Sequence, residues 1–98
     1  MRRYAVTWSQ DGLLDSGRLE TYGDRLELHG RSAVTVMPFT AVDTVAIERG
    51  PADRLHGLPV LTLRLDEGSV VRIASLEGPG VLHELSALVE QRALTAAS

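Results

Sequence analysis

The chain has 98 residues, a net charge of −3 and no cysteine. That bounds it to one domain, with a core large enough to fold without disulfides or thiolate metal sites. All ten basic residues are Arg, which excludes lysine Schiff-base chemistry, and the acidic balance runs against a protein built mainly to grip nucleic acid or anionic lipid.

Tyr4, Val6 and Trp8 alternate with Ala5 and Thr7, the period of a strand with one buried face. This short strand, over 4–8, is either part of the barrel, as an edge strand for example, or an added element that pairs with another subunit. Trp8, the only tryptophan, reads as packing rather than a ligand platform. Ser9 to Ser16, SQDGLLDS, reads as a turn-rich connection. Gly17 to Gly30, GRLETYGDRLELHG, reads as a hairpin with strands over 17–22 and 25–29. Its two-residue loop Gly23-Asp24 suits a primed turn and pairs Leu19 with Leu28 and Thr21 with Leu26. On the opposite face Glu20 sits across from Glu27, and like charges so placed are mildly destabilising. Arg18 or Arg25 relieves this, or the face meets a cationic partner; a solvated face is the simpler expectation.

AVTVM predicts a strand over 33–37 with Val34 and Val36 inward, ended by Pro38. Thr40 to Asp43 makes a short turn that tucks Phe39 and Val42 under the sheet. Val45 and Ile47 then alternate along a half-buried strand, 44–48. Gly50 to His56, GPADRLH, is the longest loop.

LPVLTLRLDEGSVVRIAS is a second hairpin, with strands over 58–65 and 69–75. A two-residue loop at Glu67-Gly68 pairs Leu63 with Arg72 and puts a charge on the core face. A three-residue loop with Gly68 in the left-handed conformation pairs Leu63 with Val71 and Leu61 with Ile73. A one-residue slip swaps faces, so burial selects the three-residue loop.

The helix spans 79–94. Pro79 suits its first position. Val81, Leu82, Leu85, Leu88 and Val89 form a stripe of roughly 120° at about 100° per residue. Arg92 lies within that stripe, so packing ends near Val89. Leu94 points away, as a frayed end or a small oligomer contact, and the tail TAAS reads as disordered. The fold class is mainly β with one C-terminal α-helix: a split barrel of six to seven antiparallel strands, its open end capped by the helix.

Nearly the whole of this run, Gly17 to Val89, resembles a bacterial member of the pleckstrin-homology-like group, which includes GRAM-type domains. The resemblance lies in GRLETYGDRLELHG, VMPFTAVDTVAIE, LPVLTLRLDEGSVVRIAS and GVLHELSALV. It implies two roughly orthogonal antiparallel sheets in a partly open barrel plugged by the helix, with the strand at 4–8 as the seventh. Phosphoinositide-binding members carry a basic cluster around the first hairpin. Here that hairpin has only Arg18 and Arg25, interleaved with Glu20, Asp24 and Glu27. Family helices often carry a Trp near their start, where this chain has Leu82 and Leu85.

His29, His56 and His83 fall on a strand end, a loop and the exposed helix face; no two share ligand spacing, and no metal or cofactor is expected. Ser9, Asp53 and His56 have no nucleophile-elbow context for a triad, so no enzyme activity is expected. Gly78-Pro79-Gly80 reads as a helix start rather than an anion site. Arg18, Arg25 and Arg31 are the candidate binding residues, a small positive patch able to grip carboxylates or phosphates.

The leading expectation is a non-enzymatic interaction domain that binds a protein partner, or itself, through a sheet edge or the hairpin face. The alternatives are a peripheral anionic-lipid module, disfavoured by the charge, and a small-ligand binder at the barrel mouth. No apolar run approaches the ~18 residues of a membrane span. The start MRRYAVTW lacks the apolar stretch and cleavage site of a signal peptide, so a cytoplasmic location is expected.

Overall fold

A computed structural model of the chain describes residues 1–78 and 80–97. Pro79, expected to open the helix, and Ser98 of the tail lie outside the described residues. Seven antiparallel strands curl into a half-barrel that carries one C-terminal helix. The strands are β1 (Arg2–Gln10), β2 (Leu13–Thr21), β3 (Arg25–His29), β4 (Val34–Pro38), β5 (Val42–Glu48), β6 (Val60–Leu65) and β7 (Val70–Ser75), in the order β4-β3-β2-β1-β7-β6-β5. A 3-10 turn, Phe39–Ala41, leads into β5, and α1 spans Gly80–Ala97. No helix among the described residues is long and apolar enough to cross a membrane.

The strand expected at 4–8 is part of the barrel, as its seventh strand, and not an added element or an edge. It is β1, the middle strand of the order, hydrogen-bonded to β2 on one side and β7 on the other. Tyr4, Val6 and Trp8 are buried, as their alternation implies. The expected loose connection Ser9–Ser16 is mostly strand: β1 runs to Gln10, β2 starts at Leu13, and only Asp11 and Gly12 lie between. Both have positive φ, 52° and 83°, the type I′ turn that Asp-Gly favours. The strand signal is weak here because Leu13 and Leu14 are exposed, so hydrophobicity does not follow burial.

The β2–β3 register is the expected one, with Leu19 opposite Leu28, Glu20 opposite Glu27 and Thr21 opposite Leu26. Tyr22 N–H donates to the Arg25 carbonyl at 2.9 Å, which closes the two-residue loop Gly23-Asp24. Neither loop residue has a positive φ, so the expected primed turn does not form. The Asp24 carbonyl instead accepts the Phe39 N–H at 3.0 Å, which ties the loop to the β4–β5 crossing.

In β4 the expected faces are reversed. Val34 and Val36 are exposed, and Met37 is buried opposite Leu26. The alternation in AVTVM fits either face equally well. The largest side chain, Met37, takes the inward position beside Phe39, and the two valines fall on the outer face opposite His29 and Glu27. Pro38 ends β4 on an edge of the sheet, where its missing N–H costs no ladder bond. Phe39 is buried, and Val42, Val45 and Ile47 pack against the same core.

The β6–β7 hairpin has the expected register, Leu61 with Ile73 and Leu63 with Val71. Gly68 has φ 99°, and the Leu65 N–H donates to Ser69 across the three-residue loop. Thr62, on the outer face, is nonetheless buried, and its hydroxyl has no partner among the described residues.

Leu82, Leu85 and Val89 of α1 join Tyr4, Trp8, Phe39 and Ile73 in one core, so the helix is the barrel's plug. The Tyr4 hydroxyl donates to Glu84 Oε1 at 3.1 Å, and Arg2 pairs with the same carboxylate, which tethers the first turns to β1. Among the described residues Val89 is the last buried one; Glu90, Arg92 and Leu94 are exposed. The helix itself continues to Ala97, into the tail expected to be disordered, because Ala and Leu favour helix and nothing there breaks it.

The barrel's corner falls where Val6 pairs with Gly17. β1 meets β7 only from Val6 onward, and β2 meets β3 only from Arg18 onward. A Cβ on Gly17 would lie 2.0 Å from the His29 carbonyl oxygen, a separation that no side chain tolerates. Gly17→Ala is therefore expected to destabilise well beyond the about 0.5 kcal/mol of a surface change. Leu85→Ala, which empties part of the plug, is expected to cost about 2–5 kcal/mol, whereas Leu94→Ala stays within about 0.5 kcal/mol. Urea unfolding of the three variants checks both statements, and equal midpoints for Leu85→Ala and Leu94→Ala would exclude the plug.

Candidate functional site

Two places on the surface bring chemistry-bearing side chains together. The first is the outer face of β1–β4. Cross-strand pairing sets Arg3, Glu20, Glu27 and Val36 in one row and Ala5, Arg18, His29 and Val34 in the next. Glu20 is not solvated as expected: its side chain is only 4% exposed. It accepts from the Tyr22 hydroxyl and from Arg18 Nε, both at 2.6 Å, with Arg3 Nε at 3.4 Å. Glu27 accepts from Arg25 Nε at 2.7 Å, and Arg25 also reaches Asp24 and stacks over the Tyr22 ring at 4.3 Å.

His29 links the two carboxylates. Its Nε2 lies 3.0 Å from Glu27 Oε1 and 3.3 Å from Glu20 Oε1. Its Nδ1 faces Arg18 Nη2 at 3.4 Å. Arginine only donates, so Nδ1 accepts and Nε2 directs its proton at the carboxylates. The Tyr22 hydroxyl and the Arg18 guanidinium hold the Glu20 carboxyl down, to about 2 from 4.5, against the burial that raises it. The Arg25 bond, and then His29, lower Glu27 as well. Glu20 in turn raises the Tyr22 phenol, and Glu27 and Asp24 raise Arg25.

Ligand atoms of Glu20, Glu27 and His29 lie within 4.8 Å of one another, a cluster that histidine spacing alone misses. It is legible in the register, since Glu20 opposes Glu27 and His29 is two residues on along the same face. Its acceptors already have donors: Arg18, Arg3 and the Tyr22 hydroxyl on Glu20, Arg25 on Glu27, and the Nε2 proton between the two carboxylates. A divalent ion there would have to displace that proton and sit among cations, so the cluster is a closed ion-pair network.

The candidate residues separate accordingly. Arg18 and Arg25 are committed to Glu20 and Glu27. Arg31 lies apart, in the β3–β4 turn, where its N–H meets Asp15 Oδ1 at 3.4 Å and it lines a cleft with Leu14 and His56. His56 sits at a loop tip with φ 51°, and His83 meets Arg49 Nη2 at 2.8 Å.

The second place is a groove of about 380 Å³ between β5 and the second half of α1. It is lined by Val42, Asp43 and Val45 on one side and by Glu90, Ala93 and Leu94 on the other. β5 ends the sheet, pairing only with β6 among the described residues. The register shifts between Val42 and Thr44, so Asp43 is the extra residue of a bulge. Among the described residues, two other edges carry blunting features. β4 ends in Pro38. The outer half of β2 has its Ser16 N–H taken by Asp15 Oδ1 at 2.8 Å, an edge-protecting carboxylate. The β5–α1 groove was not foreseen from sequence beyond the outward Leu94, which is 73% exposed.

No family model and no curated protein matches the chain. Among solved structures it is similar to the C-terminal domain of an unknown protein from Leishmania infantum, with a TM-score of 0.69 and 12% identity over 94% of this chain and 82% of that one. The likeness is one of fold.

Glu20 generates a pH expectation. Its folded-state value lies below its ordinary 4.5, so the stability it contributes is present above 4.5 and is lost as pH falls toward about 2. Glu20→Gln is expected to lower stability at neutral pH and to flatten the decline across that acid window. Urea midpoints measured against pH check this, and parallel profiles for the two proteins would rule it out.

Proposed function

We propose that the chain is a non-enzymatic interaction domain of the pleckstrin-homology-like kind, which takes an extended segment of a protein partner along the edge of β5. The observation that carries this reading is the groove itself. An open strand edge lies beside an apolar floor of Val42, Val45, Ala93 and Leu94. An extended peptide added to such an edge gains main-chain hydrogen bonds from the strand and side-chain burial from the groove. The half-barrel and its plugging helix support the family reading.

Headgroup binding has less support, because the arginines of the first hairpin are spent on Glu20 and Glu27. The barrel interior is packed with Leu, Val and Ile around Tyr4, Trp8, Met37 and Phe39, which gives the small-ligand reading less support.

The test is a random peptide display library panned against the chain, with bound peptides located by NMR amide-shift mapping. Shifts confined to β5 and to α1 beyond Val89 are expected. Leu94→Ser, at an exposed position that does not disturb the fold, is expected to weaken binding about threefold or more, the loss of a partly buried apolar contact. Peptides that map to the β1–β4 face instead would overturn the site, and no selectable peptide would overturn the reading.

A further inference from the structure

We infer that the β5–α1 groove selects a basic extended segment, one in which apolar residues alternate with Arg or Lys; this rests on the edge-binding reading above. The groove carries two carboxylates on opposite walls, Asp43 from the β5 bulge and Glu90 from α1. Both are exposed, and neither is in an ion pair or side-chain hydrogen bond among the described residues. A third carboxylate stands at the Val42 end. Asp66 follows Leu65, the cross-strand partner of Val42, and its N–H donates to the Ala41 carbonyl at 2.9 Å.

The bulge makes this arrangement specific. One extra residue in β5 removes Asp43 from the regular pairing with β6 and bends the strand locally, at the place where the groove begins. Across the groove, Glu90 follows Val89, the last buried residue of the plug. Each wall thus sets an acid, without an ion pair among the described residues, next to a residue packed on the core, Val42 on one side and Val89 on the other. An occupant that continues the sheet presents alternate side chains to the apolar floor and outward. Cationic side chains flanking its apolar positions meet these carboxylates, while an acidic segment is repelled.

The experiment uses the full chain and the Asp43→Asn/Glu90→Gln double variant, each panned against the same random peptide display library, with melts by circular dichroism confirming equal folding. Wild type is expected to enrich peptides that alternate apolar residues with Arg or Lys. Their affinity is expected to fall about three- to tenfold in the double variant, the worth of two exposed charge pairs, and to fall with added salt. Peptides that shift β5 and α1 amides without a basic bias, and that bind both proteins equally, would overturn this inference and leave edge binding intact. Failure to enrich any peptide at β5 or α1 would overturn both. A chain that sediments as a dimer with the groove amides covered would assign the groove to a second copy and overturn the basic-segment inference.

Discussion

The half-barrel depends on one steric constraint, the approach of the His29 carbonyl to Gly17. A Cβ on Gly17 would sit 2.0 Å from that oxygen, so the strand must carry no side chain there. Because it does not, β2 leaves β3 at this point, and β1, paired with β2 along its whole length, carries the sheet around to β7. Gly30 stands in the same corner, where a Cβ would meet the Asp15 carboxylate at 2.0 Å. That carboxylate accepts the Ser16 and Arg31 N–H groups. Turning a sheet frees backbone donors that would otherwise have no partner. Here a single acid satisfies two of them, and it occupies space that only glycine leaves open.

On the outside of that corner, the sheet places Glu20 directly opposite Glu27, an arrangement that stands only if cations outweigh the repulsion. Each of the three strands supplies one: Arg3 from β1, Arg18 from β2 and Arg25 from β3. The lowered Glu20 carboxyl shows which effect wins, since hydrogen bonds from Tyr22 and Arg18 outweigh a burial that alone would raise it. The price is the arginines' freedom. Arg18 and Arg25 looked like a positive patch in the sequence, but on the folded sheet they are the counter-ions of two acids.

Where burial chooses between alternatives, the sequence was legible. The β6–β7 register followed from keeping Arg72 out of the core, and the β2–β3 register from uniting Leu19, Leu26 and Leu28. Where hydrophobicity and burial part company, it misled. Leu13 and Leu14 are exposed, so the Asp11-Gly12 hairpin read as a loop despite its turn signal. Val34 and Val36 are exposed as well, so the face of β4 was read in reverse. The outer-face network was half legible, because the opposition of Glu20 and Glu27 came with the register, while the convergence of His29 depended on following the same face two residues further. The groove was hardest to see. It needs a bulge at Asp43, which leaves no mark in the hydrophobic pattern, and a helix longer than its buried stripe.

The helix is longer than its buried stripe, and the excess gives the groove its second wall. The plug is complete at Val89, yet α1 continues to Ala97. A helix needed only to close the barrel gains little from Glu90, Arg92 and Leu94, which are exposed and must still be ordered. The turns beyond Val89 stand alongside β5, which ends the sheet, and give it a second wall of Glu90, Ala93 and Leu94. The acids of the two places differ in the same sense. Glu20 and Glu27 lie on a face that is finished, each matched by a cation of its own chain. Asp43 and Glu90 lie on walls that face each other across the groove, with no ion pair among the described residues. The fold thus neutralises its acids on the outer face of β1–β4 and leaves Asp43 and Glu90 without ion pairs among the described residues beside the β5 edge.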